Sequence, residues 1–191
     1  MDYESKIIAI EQALALVKSG DVIVTGLGAS EAGVFMSQLH TVAARGVRDV
    51  MVTNCLPTHE SKIYEEQYAD IFRVDGWFYA PVLRKAHKNG NMAFIPNHLH
   101  LAARKRLDHI LPNIYIGAAT MPDKHGYVSL SLSNTYEMRM IEKADLVILE
   151  INPNMPYTLG DVQLHVRDID YMIKVDYQPP VMPDAPFSEK D

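Results

Sequence analysis

A single cysteine, Cys55, stands among 191 residues, so no internal disulfide can form and a disulfide-framework fold is excluded. No apolar run approaches the roughly 18 residues of a membrane-spanning helix. The opening Met1-Asp2-Tyr3-Glu4-Ser5-Lys6 lacks the basic start and apolar stretch of a secretory signal. A cytoplasmic protein with no membrane partner is the expectation. Positive charge is scarce: 18 Lys and Arg against 24 Asp and Glu leave a net charge of -6. That argues against nucleic acid as the main partner, because neutralising phosphates takes clustered Lys and Arg. A small anionic ligand stays open, since a few local donors decide binding at a small site. The chain has no Gly-x-Ser-x-Gly elbow for serine hydrolysis. It also lacks paired cysteines and a His-Glu-x-x-His run, so its eight histidines, His59, His98 and His100 among them, show no metal-ligand spacing. No metal and no bound cofactor are expected.

What is present is the composition of an ordinary globular domain, 48% hydrophobic and 22% charged. Ile7, Ile10, Leu14 and Val17 recur at helical spacing over residues 5–18, and Ser19-Gly20 closes that pattern. A β-branched run at 22–25 follows, too short for a helix and suited to a buried strand. A second helix is expected over 32–44, closed by Arg45-Gly46, and a second strand over 50–53. Strand candidates continue at 93–95, 114–118, 128–132 and 146–151, and helix candidates at 60–68, 82–88, 99–107 and 136–143. Strands alternating with helices predict an α/β fold, a mainly parallel sheet flanked by helices. Asp123-Lys124-His125-Gly126 reads as a tight turn with Gly126 at positive φ. From residue 177 the chain turns proline-rich, so we expect a domain over 1–176 and a linker over 177–191.

Gly26-Leu27-Gly28 falls at the carboxyl end of the first strand, where open parallel sheets gather ligands and where backbone N–H groups can approach an anion. Glu31 stands where a dinucleotide fingerprint needs glycine, so a Rossmann cofactor site is rejected. The two glycines read equally well as a plain tight turn. Asn54, Asn152 and Asn154 follow strand ends as well, either as ligand contacts or as caps of the next turn. Cys55 reads as an inert small hydrophobe, and Trp77, the only tryptophan, as core.

Val74-Asp75-Gly76-Trp77-Phe78 with Arg84 resembles a segment of the amino-terminal domain of the acetyl-CoA hydrolase/transferase family, which includes 4-hydroxybutyrate and butyrate-type CoA-transferases. Phe94-Ile95-Pro96 with His98-Leu99 is similar to a second segment, and Pro122-Asp123-Lys124-His125-Gly126-Tyr127 to a third. Asn152-Pro153-Asn154-Met155-Pro156, Gly160-Asp161, His165-Val166 and Ile169-Asp170 resemble a fourth, all in unbroken order. The resemblance implies half of an acyl-CoA:carboxylate CoA-transferase or acyl-CoA hydrolase. This half shapes the acyl or carboxylate pocket, and a glutamate of a carboxyl-terminal domain missing here attacks the acyl-CoA. Coenzyme A thioester is then a substrate, not a cofactor. Substrate contacts are expected from Gly26, Gly28, Asn54, His98 and Asn152, with no catalytic residue in this chain. An apolar face left for the absent domain is expected to promote self-association into a homo-oligomer. Two rival readings are a non-catalytic α/β sensor of a sugar phosphate or acyl-CoA, and a metal-dependent hydrolase built on the histidines.

Overall fold

Val22-Ile23-Val24 and Val50-Met51-Val52 are apolar toward both sides of a strand, a pattern that a sheet covered on both faces can bury. The computed structural model, which describes residues 3–181, places both runs inside a seven-stranded sheet. Its strands are β1 (Val22–Thr25), β2 (Val50–Asn54), β3 (Phe72–Gly76), β4 (Met92–Phe94), β5 (Ile114–Ala119), β7 (Leu146–Ile151) and β9 (Tyr171–Lys174). They are ordered β4-β3-β2-β1-β5-β7-β9, every pair parallel. β6 (Tyr127–Ser129) and β8 (Gln163–His165) form a separate antiparallel ribbon. The runs expected at 22–25, 50–53, 114–118 and 146–151 are all buried strands of the main sheet.

Successive strand residues point to opposite faces, and two cores result. Ile23, Val52, Val74, Ile116 and Ile148 meet Phe35, Leu39 and Leu83 on one face. Val24, Tyr115, Val147 and Leu149 meet Trp77, Tyr136 and Met140 on the other. Helices α1 (Ile10–Ala15), α2 (Gly33–Gln38) and α3 (Pro81–Lys88) contribute to the first core. Helices α4 (Ala102–Leu107) and α5 (Glu137–Ile141), with the β6–β8 ribbon, contribute to the second.

Several elements differ from the expected spans. The helix expected over 5–18 is only six residues long, because Ile7 bridges to Met172 and the Ile8 amide donates to the Met172 carbonyl, holding that stretch against β9. The helix expected over 60–68 is two 3-10 turns, Lys62–Tyr64 and Glu66–Tyr68, separated by extended Glu65. There Asn89 Nδ2 takes the Tyr64 carbonyl at 3.0 Å and Ser61 Oγ donates to Met36, so groups a helix would use are bound elsewhere. The expected helix over 32–44 tightens after Gln38 into a 3-10 segment that Gly46, at φ +80°, terminates. The one over 136–143 shortens to α5. The strand expected over 128–132 ends at Ser129 because Ser131 turns the chain at φ +62°. Gly126 has φ +83° in the predicted turn, and Asp123 Oδ1 accepts from the His125 and Tyr127 amides there. Among the described residues no helix is long and apolar enough to cross a membrane. The expected linker begins inside the described chain, but its prolines at 183 and 186 lie outside it.

Beneath α4, Arg106 Nη2 lies 2.8 Å from Asp75 Oδ2 and 2.8 Å from Thr53 Oγ1, with both side chains of the ion pair 8% exposed. Thr53 and Asp75 are register partners on β2 and β3, so one guanidinium ties two strands to α4. Removing it leaves a buried carboxylate without its cation. Arg106→Met is expected to lower the free energy of unfolding in urea by about 3–5 kcal/mol, and the Arg106→Met/Asp75→Asn double variant by clearly less. Equal losses in both would show that the pair's charges are not what the variant disturbs.

Candidate functional site

At the centre of the sheet the chain leaves β1 toward β2 on one side, while β5 is followed by β7 on the other. Such a reversal opens a crevice beyond the strands' carboxyl ends. Gly26-Leu27-Gly28 after β1, Asn54 at the end of β2 and Asn152 after β7 all lie along this edge. His98 does not join them. It follows β4 on the outer edge, three strands from β1 or roughly 14 Å at normal strand spacing, where it is exposed and stacked on His100.

The glycine turn has its own work. The Gly26 amide continues the β1–β5 ladder to the Ile116 carbonyl, the Leu27 amide donates to Glu137 Oε1, and the Gly28 amide donates to the Leu56 carbonyl. With all three donors engaged, the turn offers an anion no free amide. A Cβ on Gly26 would lie 2.2 Å from the Ser30 carbonyl oxygen, whereas one on Gly28 would meet nothing within 4 Å. What requires glycine at 28 is its φ of +57°, a left-handed conformation.

Glu31, Glu137 and Glu150 are 1%, 0% and 0% exposed around this edge. Burying a carboxyl group is costly unless it is hydrogen-bonded, and each of these is. Glu31 accepts from Asn54 Nδ2 at 2.6 Å, from the Thr58 and His59 amides at 3.0 Å each, and faces His59 Nδ1 at 3.2 Å. Glu137 accepts from the Leu27, Thr135 and Tyr136 amides and from the Ser133 hydroxyl. Glu150 accepts from the Val34 and Phe35 amides that begin α2 and from the Tyr177 hydroxyl at 3.0 Å. Burial pushes the Glu150 carboxyl above the ordinary glutamate range, against the pull of those donors. The Tyr177 ring packs edge-on to His59 at 5.8 Å, so the Glu31 and Glu150 networks meet through these two rings.

Asn54 is fully buried, and among the described residues its Oδ1 has no partner. Asn152 acts as a brace: its Nδ2 donates to the Tyr177 carbonyl at 2.8 Å, and its Oδ1 receives the Asn154 amide. Cys55 is buried and its thiol is pushed up to about 12, first by burial and then by Glu137. A thiolate nucleophile is therefore not available at neutral pH. Beside His59 lies an open groove of about 800 Å³, with Pro81 and Val82 from α3 on its wall. Exposed apolar side chains follow the same carboxyl edge: Phe78 and Tyr79 beyond β3, Phe94 at the end of β4 and Leu99 beyond it, and Tyr157 and Leu159 beyond β7.

Glu150 and Glu137 are absent from the sequence reading, and Glu31 enters it only as a departure from a glycine motif. A signal for Glu150 existed: one acidic residue inside Leu146-Val147-Ile148-Leu149-Glu150-Ile151, where a buried strand has no ordinary place for it. Tyr177 carries no such signal, because proximity across the fold places it.

Residues 1–183 match the acetyl-CoA hydrolase/transferase N-terminal domain. The chain is 32% identical over 176 residues to succinyl-CoA:cyclohexane-1-carboxylate CoA transferase of Geobacter metallireducens, covering 92% of this chain and 40% of that protein. It is 35% identical over 120 residues to 4-hydroxybutyrate coenzyme A transferase of Clostridium kluyveri, covering 60% and 28% respectively. RipA from Yersinia pestis shares the fold with a TM-score of 0.90 at 23% identity, over 99% of this chain and 47% of that one. The chain thus spans two fifths or less of the length of these curated relatives.

The raised Glu150 makes a pH prediction. The folded state holds that proton more tightly than the unfolded chain, so ionisation costs folding free energy. Stability is greatest with the carboxyl protonated, declines as pH rises past the unfolded glutamate value, and levels off above the raised folded value. Glu150→Gln is expected to flatten this decline in Tm measured from about pH 4 to pH 8. A decline as steep as the parent's would assign the pH dependence to other groups.

Proposed function

Because the chain belongs to the acetyl-CoA hydrolase/transferase N-terminal domain family, we propose that it is the amino-terminal half of an acyl-CoA:carboxylate CoA-transferase or acyl-CoA hydrolase. Its substrates are a coenzyme A thioester and a small carboxylate, and it takes no bound cofactor. The observation carrying this reading is an alignment over 92% of the chain to a relative named as a CoA transferase, of which the chain covers only 40%. The carboxyl edge of the sheet is its working surface, with Gly26, Gly28 and Asn54 shaping the acyl or carboxylate pocket. Asn152 acts there by holding Tyr177 in place.

The nucleophile is a glutamate of the opposing carboxyl-terminal domain. It attacks the thioester carbonyl carbon, forming a mixed anhydride as the CoA thiolate leaves. A carboxylate is a weak nucleophile that gains from a dry and preorganised site. Covering the edge excludes water, and the pinned loops hold the acyl group in place. The exposed Phe78, Tyr79, Phe94, Tyr157 and Leu159 supply an apolar rim for that domain to sit on. When the rim is left uncovered, it favours homo-oligomers.

This reading predicts little thioester loss from acetyl-CoA or butyryl-CoA, with acetate as acceptor, when this polypeptide is assayed alone. Turnover is expected once a separately produced carboxyl-terminal half of the family is added. Asn54→Ala is expected to lower the restored kcat/KM by about tenfold or more, because it removes a buried amide and one donor to Glu31. Gly28→Val is expected to impair it through the left-handed backbone rather than a blocked cavity. Appreciable turnover by this polypeptide alone, surviving chelator, would overturn the half-site reading.

A further inference from the structure

The hydrogen-bond partners of His59 fix its tautomer. Thr58 Oγ1 donates its single proton to the Gly28 carbonyl at 2.9 Å, so toward His59 Nδ1, 3.3 Å away, it can only accept. Glu31 Oε2, 3.2 Å from the same nitrogen, is already the acceptor of two backbone amides. Nδ1 therefore carries the hydrogen, and Nε2 is the nitrogen left to exchange a proton. Among the described residues Nε2 has no hydrogen-bond partner. Gly33 leaves room for the ring: a Cβ there would stand 2.6 Å from Nε2.

The groove beside this ring holds a second unmet polar group. Tyr64 is 1% exposed, its hydroxyl is buried without a partner among the described residues, and burial followed by the charge of Glu31 pushes its pKa well up. It remains a protonated donor next to a groove that also receives Lys62 and Lys85, balanced by Glu60 and Glu65.

We propose that this groove is a subsite for a small carboxylate, in which His59 Nε2 shares one proton with the carboxylate and Glu31 is the positioning residue that holds the ring. The proposal rests on the transferase reading of the same edge and deepens it. Imidazolium with carboxylate and imidazole with carboxylic acid carry the same proton count, so the pair binds the anion with uptake of one proton and leaves none unaccounted for. Pro81 and Val82 suit a short alkyl chain behind the carboxylate.

The test uses the full chain with ¹⁵N-labelled histidine, read by long-range ¹H–¹⁵N spectra of the rings. His59 should show the Nδ1–H tautomer, and butyrate should shift its Nε2 signal saturably while the neutral isostere butyramide, or chloride at the same ionic strength, does not. His59→Phe should weaken butyrate binding by about tenfold or more, the loss of one charge-assisted hydrogen bond. Glu31→Gln and Gly33→Ala should weaken the tautomer preference, with Thr58 Oγ1 left as the remaining acceptor. An Nε2–H tautomer, or identical responses to butyrate, butyramide and chloride, overturns the subsite without needing any variant to fold. The two readings separate in the reconstituted enzyme. Turnover unaffected by His59→Phe removes the subsite and keeps the transferase. Specific butyrate binding with no turnover in the presence of the carboxyl-terminal half keeps the subsite and removes the transferase.

Discussion

Glu31, Glu137 and Glu150 lie at the carboxyl edge of the parallel sheet almost without solvent, and the loops of that edge are arranged around them. Strand-end loops leave backbone amides that no ladder can use, and buried amides must find acceptors. Here the glutamates supply those acceptors: seven backbone amides, at Leu27, Val34, Phe35, Thr58, His59, Thr135 and Tyr136, end on the three carboxyl groups. The dependence is mutual. Moving any of these loops would strand donors and a buried acidic group together, so the glycine turn, the loop after β2 and the start of α2 are held as one unit.

This arrangement decides which parts of the edge remain available to chemistry. The amides of Gly26-Leu27-Gly28, well placed to greet an anion, are all engaged inside the fold. Among the described residues, Thr25 Oγ1 at the end of β1 is unmet, and on the β2 side so are Asn54 Oδ1, the Tyr64 hydroxyl and the free nitrogen of His59. Tyr177 links that side to Glu150, so residues from both halves of the sheet converge on one histidine ring. The apolar rim around this polar centre suits a site completed by an opposing surface, because closure would raise the strength of each polar contact by excluding water.

The parallel sheet was legible because its strands are short β-branched runs separated by amphipathic segments, a local pattern that burial on both faces reinforces. Strand β3 was not recognised, although Phe72 and Val74 alternate with Arg73, since its aromatic continuation read as a cluster. The helices proved shorter wherever distant side chains or strands competed for their backbone groups, as Asn89 does at Tyr64 and Met172 at Ile8. That Gly26, Gly28 and Asn54 lie on the carboxyl edge is legible from their places after strand ends. His98 shares that sequence context but follows an outer strand, and strand order is invisible to local pattern.

By itself the sequence determined the α/β class, the four central strands and the family, because each rests on residue types repeated at short range or in a fixed order. Only the tertiary structure decided that Asn152 braces Tyr177, that the turn amides are spent, and that His59 faces Glu31 through Nδ1. The partners in these contacts are separated by 25 or more residues in the chain, or depend on how one shared proton is allotted among several acceptors. Composition and periodicity describe what a residue prefers to be near, whereas a buried hydrogen bond depends on which one of those neighbours the folded chain delivers.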